Sequence, residues 1–135
     1  MTAHPLDDLH SPDLVLHSGW SADHRREQYL YSADSEPTYR YAFARWWGSH
    51  DLDRLGCWVG LNPATGDTER RRRPTLAKMM HWTRCLGLDG LVVVNLFAYR
   101  ATDPRKLRAA QDPVGMHNDS VLTAVSSRTA VTVAA

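Results

Sequence analysis

Gly90-Leu91-Val92-Val93-Val94-Asn95-Leu96-Phe97-Ala98-Tyr99-Arg100 is the stretch on which the fold turns. The preceding Asp89 and Gly90 form a turn signal, and Leu-Val-Val-Val follows without a polar interruption. A short, continuous, β-branched run predicts a strand covered on both faces, the usual state of a parallel sheet. Asn95 ends the run, placing an amide at the carboxyl end of the strand, where open α/β sheets bind ligands.

Upstream, Leu55-Gly56-Cys57-Trp58-Val59-Gly60-Leu61 is a second apolar run, and it opens into Asn62-Pro63-Ala64-Thr65-Gly66-Asp67. Pro63 fixes its own φ and biases Asn62 toward extended geometry. Thr65, Gly66 and Asp67 favour a tight turn whose backbone N–H groups can cradle an anion or position a water. Arg70-Arg71-Arg72-Arg73 reads either as a solvated face or as phosphate contacts, since guanidinium groups match phosphate oxygens in pairs. Pro74 suits the first helical position. Leu76, Met79, Met80, Thr83 and Leu86 recur at three- and four-residue steps, which predicts an amphipathic helix over 75–86, with Gly87 as its C-terminal cap. Residues 55–97 therefore read strand, loop, helix, strand. Parallel alignment would bring Asn62 and Asn95 to one edge of the sheet, where their amides could converge on one pocket.

The flanks carry weaker patterns. Residues 1–26 are broken by Pro5, Pro12 and Gly19, and Leu14-Val15-Leu16 is too short to assign, so a poorly structured arm is expected there. His4, His10, His17 and His24 are spaced like no standard zinc motif. The single α/β domain is expected over 27–135. Tyr29 to Tyr31 and Tyr39 to Phe43 suggest an antiparallel hairpin, with Tyr39, Tyr41 and Phe43 alternating against Arg40 and Ala42. Trp46 and Trp47 read as packing. Downstream, Asp103 and Pro104 start a short helix, Asn118 can cap another carrying Val121, Leu122 and Val125, and residues 129–135 read as a strand. That strand stops without a turn signal, so the domain is expected to be incomplete at its C-terminus.

With 135 residues, 43% hydrophobic, 23% charged and a net charge of +1, the chain fits one ordinary globular domain. Bulk charge argues against a polyelectrolyte binder but leaves local patches open. Cys57 and Cys85 make neither a disulfide framework nor a metal motif and read as buried free thiols. No run approaches the about 20 apolar residues of a membrane span, and no signal-peptide pattern is present. A cytoplasmic protein without membrane, metal or cofactor is the expectation.

The stretches Gly60-Leu61-Asn62-Pro63-Ala64-Thr65, Pro74-Thr75, Val92 to Pro104 and Asp112-Pro113-Val114-Gly115 with Asn118-Asp119 resemble the bacterial and phage family called domain of unknown function 1643. The resemblance covers roughly residues 38–135. Two features depart from it: Arg72 and Arg73 stand where the family commonly has acidic residues, and its late Trp-Gly and His-Pro segments are absent. More distantly, an Asn-Pro loop after one strand and an asparagine ending the next are similar to the uracil-DNA glycosylase superfamily. That similarity implies a three-layer α/β sandwich with a mainly parallel central sheet, plus the N-terminal hairpin. It also implies that Asn62 positions an attacking water and that Asn95 reads the edge of a base. An N-glycosidic bond breaks through an oxocarbenium-like sugar, so an oriented water and a stabilised leaving base are the chemical needs. Asp67 is the carboxylate nearest Asn62 in sequence; Thr65, Phe97, Tyr99 and Arg100 are candidate substrate contacts, and Arg70, Arg71, Arg72 and Arg73 candidate phosphate contacts. The expected partner is a nucleotide or nucleic acid. Glycosylase-like hydrolysis, a non-catalytic binding module and an inactive remnant remain open.

Overall fold

A computed structural model describes residues 4–9, 11–20, 26–63 and 74–134. Among them, six strands form one sheet: β1 (Leu14–Trp20), β2 (Arg26–Ser32), β3 (Arg40–Trp46), β4 (Leu55–Gly60), β5 (Gly90–Asn95) and β6 (Val131–Ala134). Their spatial order is β1-β2-β3-β5-β4-β6. Three helices accompany them: α1 (Pro74–Cys85), α2 (Pro104–Ala109) and α3 (Asn118–Arg128).

β5 is central, as its unbroken apolar run requires. Leu91, Val92 and Val94 are wholly buried, and only Val93 is half-buried. β4 lies parallel to β5, with Gly60 opposite Asn95, and β6 lies parallel to β4. On the other side of β5 the direction reverses: β3 pairs with it antiparallel, as do β2 with β3 and β1 with β2. The expected mainly parallel sheet, and with it the uracil-DNA-glycosylase-like sandwich, is therefore corrected to a mixed sheet in which antiparallel pairings predominate. The physical reason is that a β-branched run specifies burial on two faces and leaves strand direction to its neighbours. The expected hairpin exists as β2 and β3, but it is an integral part of this sheet. β1 adds a strand at the edge, within the stretch expected to be poorly structured. Its outward residues are too polar to signal a strand, and it is held by pairing with β2 along its length.

Each face has its own core. Leu76, Met79 and Met80 of α1 pack on Phe43, Trp58 and Leu91. Thr83, on the same helical stripe, is also buried: its hydroxyl accepts from Trp58 Nε1 (2.9 Å) and donates to the Met79 carbonyl (2.6 Å). Burying those polar groups in pairs removes their desolvation cost. Gly87 caps α1 with φ +74°, but Leu86 turns outward and is 56% exposed. On the opposite face, Val121 and Val125 of α3 pack on Ala42, Ala44, Trp46, Cys57, Val92 and Val94. Leu6 and Leu14 join this core. Cys57 is buried, and burial pushes its thiol above the ordinary value; Cys85, expected to be buried, is exposed.

A bulge in β3 breaks the expected alternation. Leu30 pairs with Ala42 and Tyr31 with Arg40, so Tyr41 is the extra residue. Tyr41 and Ala42 consequently both belong to the α3-side core. Arg40 turns to the α1 side instead, beside Phe43. Among the described residues, no helix is long and apolar enough to cross a membrane.

Candidate functional site

Backbone pairing continues past the ends of β4 and β5 and zips their loops together. Leu96 N–H donates to the Gly60 carbonyl (3.0 Å), Phe97 N–H to that of Leu61 (2.9 Å), and Ala101 N–H to that of Pro63 (3.0 Å). Asn62 locks this arrangement. Its Nδ2 donates to the Ala101 carbonyl at 2.7 Å, to Pro63 at 3.1 Å and to Tyr99 at 3.4 Å. Asn62 and Asn95 thus stand at the same edge of adjacent parallel strands. The amide nitrogen of Asn62 is engaged with backbone, leaving Oδ1 as the group with chemistry to offer.

Asn95 continues the Leu91 and Val93 side of β5, the face that α1 covers. It is 4% exposed. Its Oδ1 lies 2.8 Å from where a Cβ on Gly60 would stand, so the glycine makes room for the carboxamide. Among the described residues that carboxamide has no hydrogen-bond partner, although its backbone carbonyl does. Asn118 Nδ2 donates to the carbonyls of Asn95 (2.8 Å) and Leu96 (3.1 Å). Asn118 is 1% exposed, and its Oδ1 is buried without a partner among the described residues. Sequence suggested a cap at this position; in the structure His117 is the N-cap, and Asn118 instead holds the end of β5.

The same face of the sheet carries an aromatic and basic cluster. Arg40 is 7% exposed, with its guanidinium carbon 5.8 Å from the ring centroids of both Tyr29 and Phe43. Tyr29 and Tyr31 stack with centroids 5.7 Å apart and planes 2° from parallel. Arg100 lies over Tyr31 at 5.3 Å, and its Nη1 donates to the Pro37 carbonyl at 2.8 Å. Arg40 and Arg100 reach one face because β3 and the loop after β5 pair there: Arg40 N–H donates to Ala98, Arg100 N–H to Thr38, and Tyr39 bridges Tyr99.

Of the candidate residues, the structure groups Asn95 and Arg100 on the α1-side face and uses Asn62 to hold the loops beneath them. Phe97 is half-buried in the turn after β5. Tyr99 packs edge-on against Tyr39, on the side toward the α3 core. Thr65, Asp67, Arg70, Arg71, Arg72 and Arg73 lie outside the described residues. Arg40, Tyr29, Tyr31, Gly60 and Asn118 were missed as site residues. Arg40 could not be found from the alternation, because only the bulge turns it to this face. Gly60 carried a usable signal: a glycine in register with a strand-ending asparagine. Among the described residues, no group of three or more His, Cys, Asp or Glu is placed to hold a metal.

In comparison with known families, the family described as "Protein of unknown function (DUF1643)" matches residues 40–135. No curated protein and no solved structure matches the chain.

Proposed function

The chain belongs to the DUF1643 family, whose description assigns no activity, and we propose from the site itself that the protein binds a nucleobase at the C-terminal edge of β4 and β5. The observation that carries this reading is the Asn95 carboxamide, 4% exposed, seated over the bare backbone of Gly60. A carboxamide offers a donor and an acceptor side by side, which suits the edge of a planar base. Buried polar groups are normally paired, and a ligand edge would pair this one. Aromatic rings on the same face of the sheet are apolar surface of the kind on which a base stacks.

Hydrolysis of an N-glycosidic bond is the further step of the same reading. There Asn62 Oδ1 would orient water and Asp67 would be the carboxylate. Thr65, Phe97 and Tyr99 are proposed contacts around the base, and Arg70 to Arg73 proposed contacts to phosphate. The engagement of Asn62 Nδ2 with three carbonyls favours the non-catalytic form of the reading, because Asn62 already has a structural task.

Titration of free bases and nucleosides against the parent and Asn95→Ala tests the proposal. The variant should lose about 1–3 kcal/mol of binding, the cost of leaving a ligand's polar edge unpaired. Equal binding by the two proteins would remove the base-reading role. Chromatography of the same mixtures for released base tests hydrolysis; turnover that persists in Asn62→Ala would exclude Asn62 as the water-orienting group.

A further inference from the structure

We propose that His81 and Cys85, one turn apart on the exposed side of α1, form a two-ligand site for zinc or a chemically similar divalent metal. The pair lies near the C-terminal end of α1, toward the start of β5, whereas Asn95 ends that strand. The metal site is therefore independent of the base-binding reading.

Residues four apart on a helix are neighbours on one face, with Cβ atoms about 5–6 Å apart. Two histidines at that spacing are the arrangement of zinc-binding helices, and thiolate is as good a zinc ligand as imidazole. The donor atoms also meet the distance condition. Cys85 Sγ lies 3.7 Å from His81 Nε2. A tetrahedral zinc, with bonds of about 2.0–2.1 Å to nitrogen and 2.3 Å to sulfur, holds such a pair of ligands about 3.5 Å apart. The chelate can thus close with a shift of a few tenths of an ångström. In the metal-free protein the same contact is a hydrogen bond, with the thiol donating to the imidazole nitrogen. Metal takes the place of that proton: the thiol releases it to solvent, sulfur and nitrogen each donate an electron pair, and no oxidation state changes.

Both side chains are exposed, so an ion reaches them directly from solvent. The Trp82 ring stands edge-on to the imidazole, with centroids 5.5 Å apart and planes at 70°, and limits its rotation. Two ligands leave two corners of the tetrahedron open. Among the described residues, no third His, Cys, Asp or Glu is placed to fill them. Water, or the same pair on a second copy, completes the coordination. Trp82 and Leu86, each next in sequence to a ligand, are 58% and 56% exposed and put apolar surface beside the pair.

Cobalt(II) is the probe, because it occupies tetrahedral zinc sites and a thiolate ligand gives it a charge-transfer band in the near ultraviolet. Co²⁺ and then Zn²⁺ are titrated into the reduced parent, Cys85→Ser and His81→Ala. Thermal melts without metal check folding; both side chains are exposed, so the variants should melt with the parent. The parent should develop a saturable thiolate–cobalt band that Zn²⁺ abolishes. Cys85→Ser should lose the band, and His81→Ala should fail to saturate over the same concentrations. Zinc should also slow alkylation of Cys85 by iodoacetamide in the parent, a readout that needs no variant. Absence of the band in the parent, or an alkylation rate unchanged by zinc, would overturn the site and leave the contact a plain hydrogen bond. A band that persists in Cys85→Ser would overturn it too, because Cys57 would then be the ligand. A band unchanged in His81→Ala would remove the chelate and with it the proposal. Light scattering on the same samples reads the two remaining corners. A dimer with one ion per two chains, lost in both variants, supports the pair and assigns those corners to a second copy. A monomer with one ion per chain supports the pair and assigns them to water.

Discussion

Two residues without a Cβ control the two ends of the β4–β5 pair. At the C-terminal end, a Cβ on Gly60 would stand 2.8 Å from Asn95 Oδ1, the tip of a side chain that can move. Gly60→Ala should therefore leave the protein folded and push the carboxamide aside. The expected result is a melting temperature within a few degrees of the parent and nucleobase binding weakened about tenfold. Unchanged binding would show that the position of Asn95 Oδ1 does not matter. At the other end, a Cβ on Gly90 would meet the Arg45 carbonyl and the Trp46 Cβ at 2.6 Å. Those atoms belong to the backbone and root of a paired strand and cannot yield cheaply, so the turn signal that opens β5 is also a close-approach position.

At the scale of elements, the loop from β2 to β3 leads into Arg40 and, through Ser35, Glu36, Pro37 and Thr38, lines a cavity of about 440 Å³ with Tyr99 and Arg100. Asp34 organises this loop. Slight burial pushes its carboxyl up, but hydrogen bonds from the Ser32 hydroxyl and from Thr38 Oγ1 (2.6 Å) and N (2.9 Å) outweigh it and hold the group below its ordinary 3.8. A carboxyl lowered in the folded state contributes stability that is present above its unfolded value and is lost as pH falls through the folded one. Asp34→Asn should thus melt below the parent at pH 7, and the gap should narrow below about pH 4, near the unfolded value of Asp. A gap that is the same at pH 7 and pH 3 would mean the charge contributes nothing. The α2 helix illustrates a cap legible from sequence: Asp103 accepts from Arg105 N at 2.9 Å, with Pro104 at the first position.

For the whole molecule, the sheet has two cores of unequal tightness around β5. Val92 is wholly buried on the α3 side, whereas Val93 is half-buried on the α1 side. An unpaired carboxylate costs several kcal/mol where water cannot reach it, on the order of a domain's total stability. Val92→Asp should therefore abolish the cooperative melt, and Val93→Asp should lower the melting temperature while leaving a transition. Equal effects would show that the two faces are equally closed.

The sequence by itself determined the strand–helix–strand unit of β4, α1 and β5, and its local boundaries. Apolar runs, a three- and four-residue stripe, Gly87 and the Asp103–Pro104 pair are local signals, and the forces behind them act over a few residues. Parallel alignment then followed, because a helix returning the chain across a sheet leaves the next strand pointing the same way. That is why Asn62 and Asn95 could be placed at one edge in advance. Only the tertiary structure decided the direction of β3, the enrolment of β1 and the turning of Arg40 to the α1 face. Each of these depends on hydrogen bonds between residues far apart in the chain. A single bulge residue at Tyr41 exchanges the faces of everything before it, because side chains alternate with a period of two. The same long-range pairing joins Arg40 to Ala98 and Arg100 to Thr38 and binds Asn118 to the end of β5, none of which is written in the spacing of those residues.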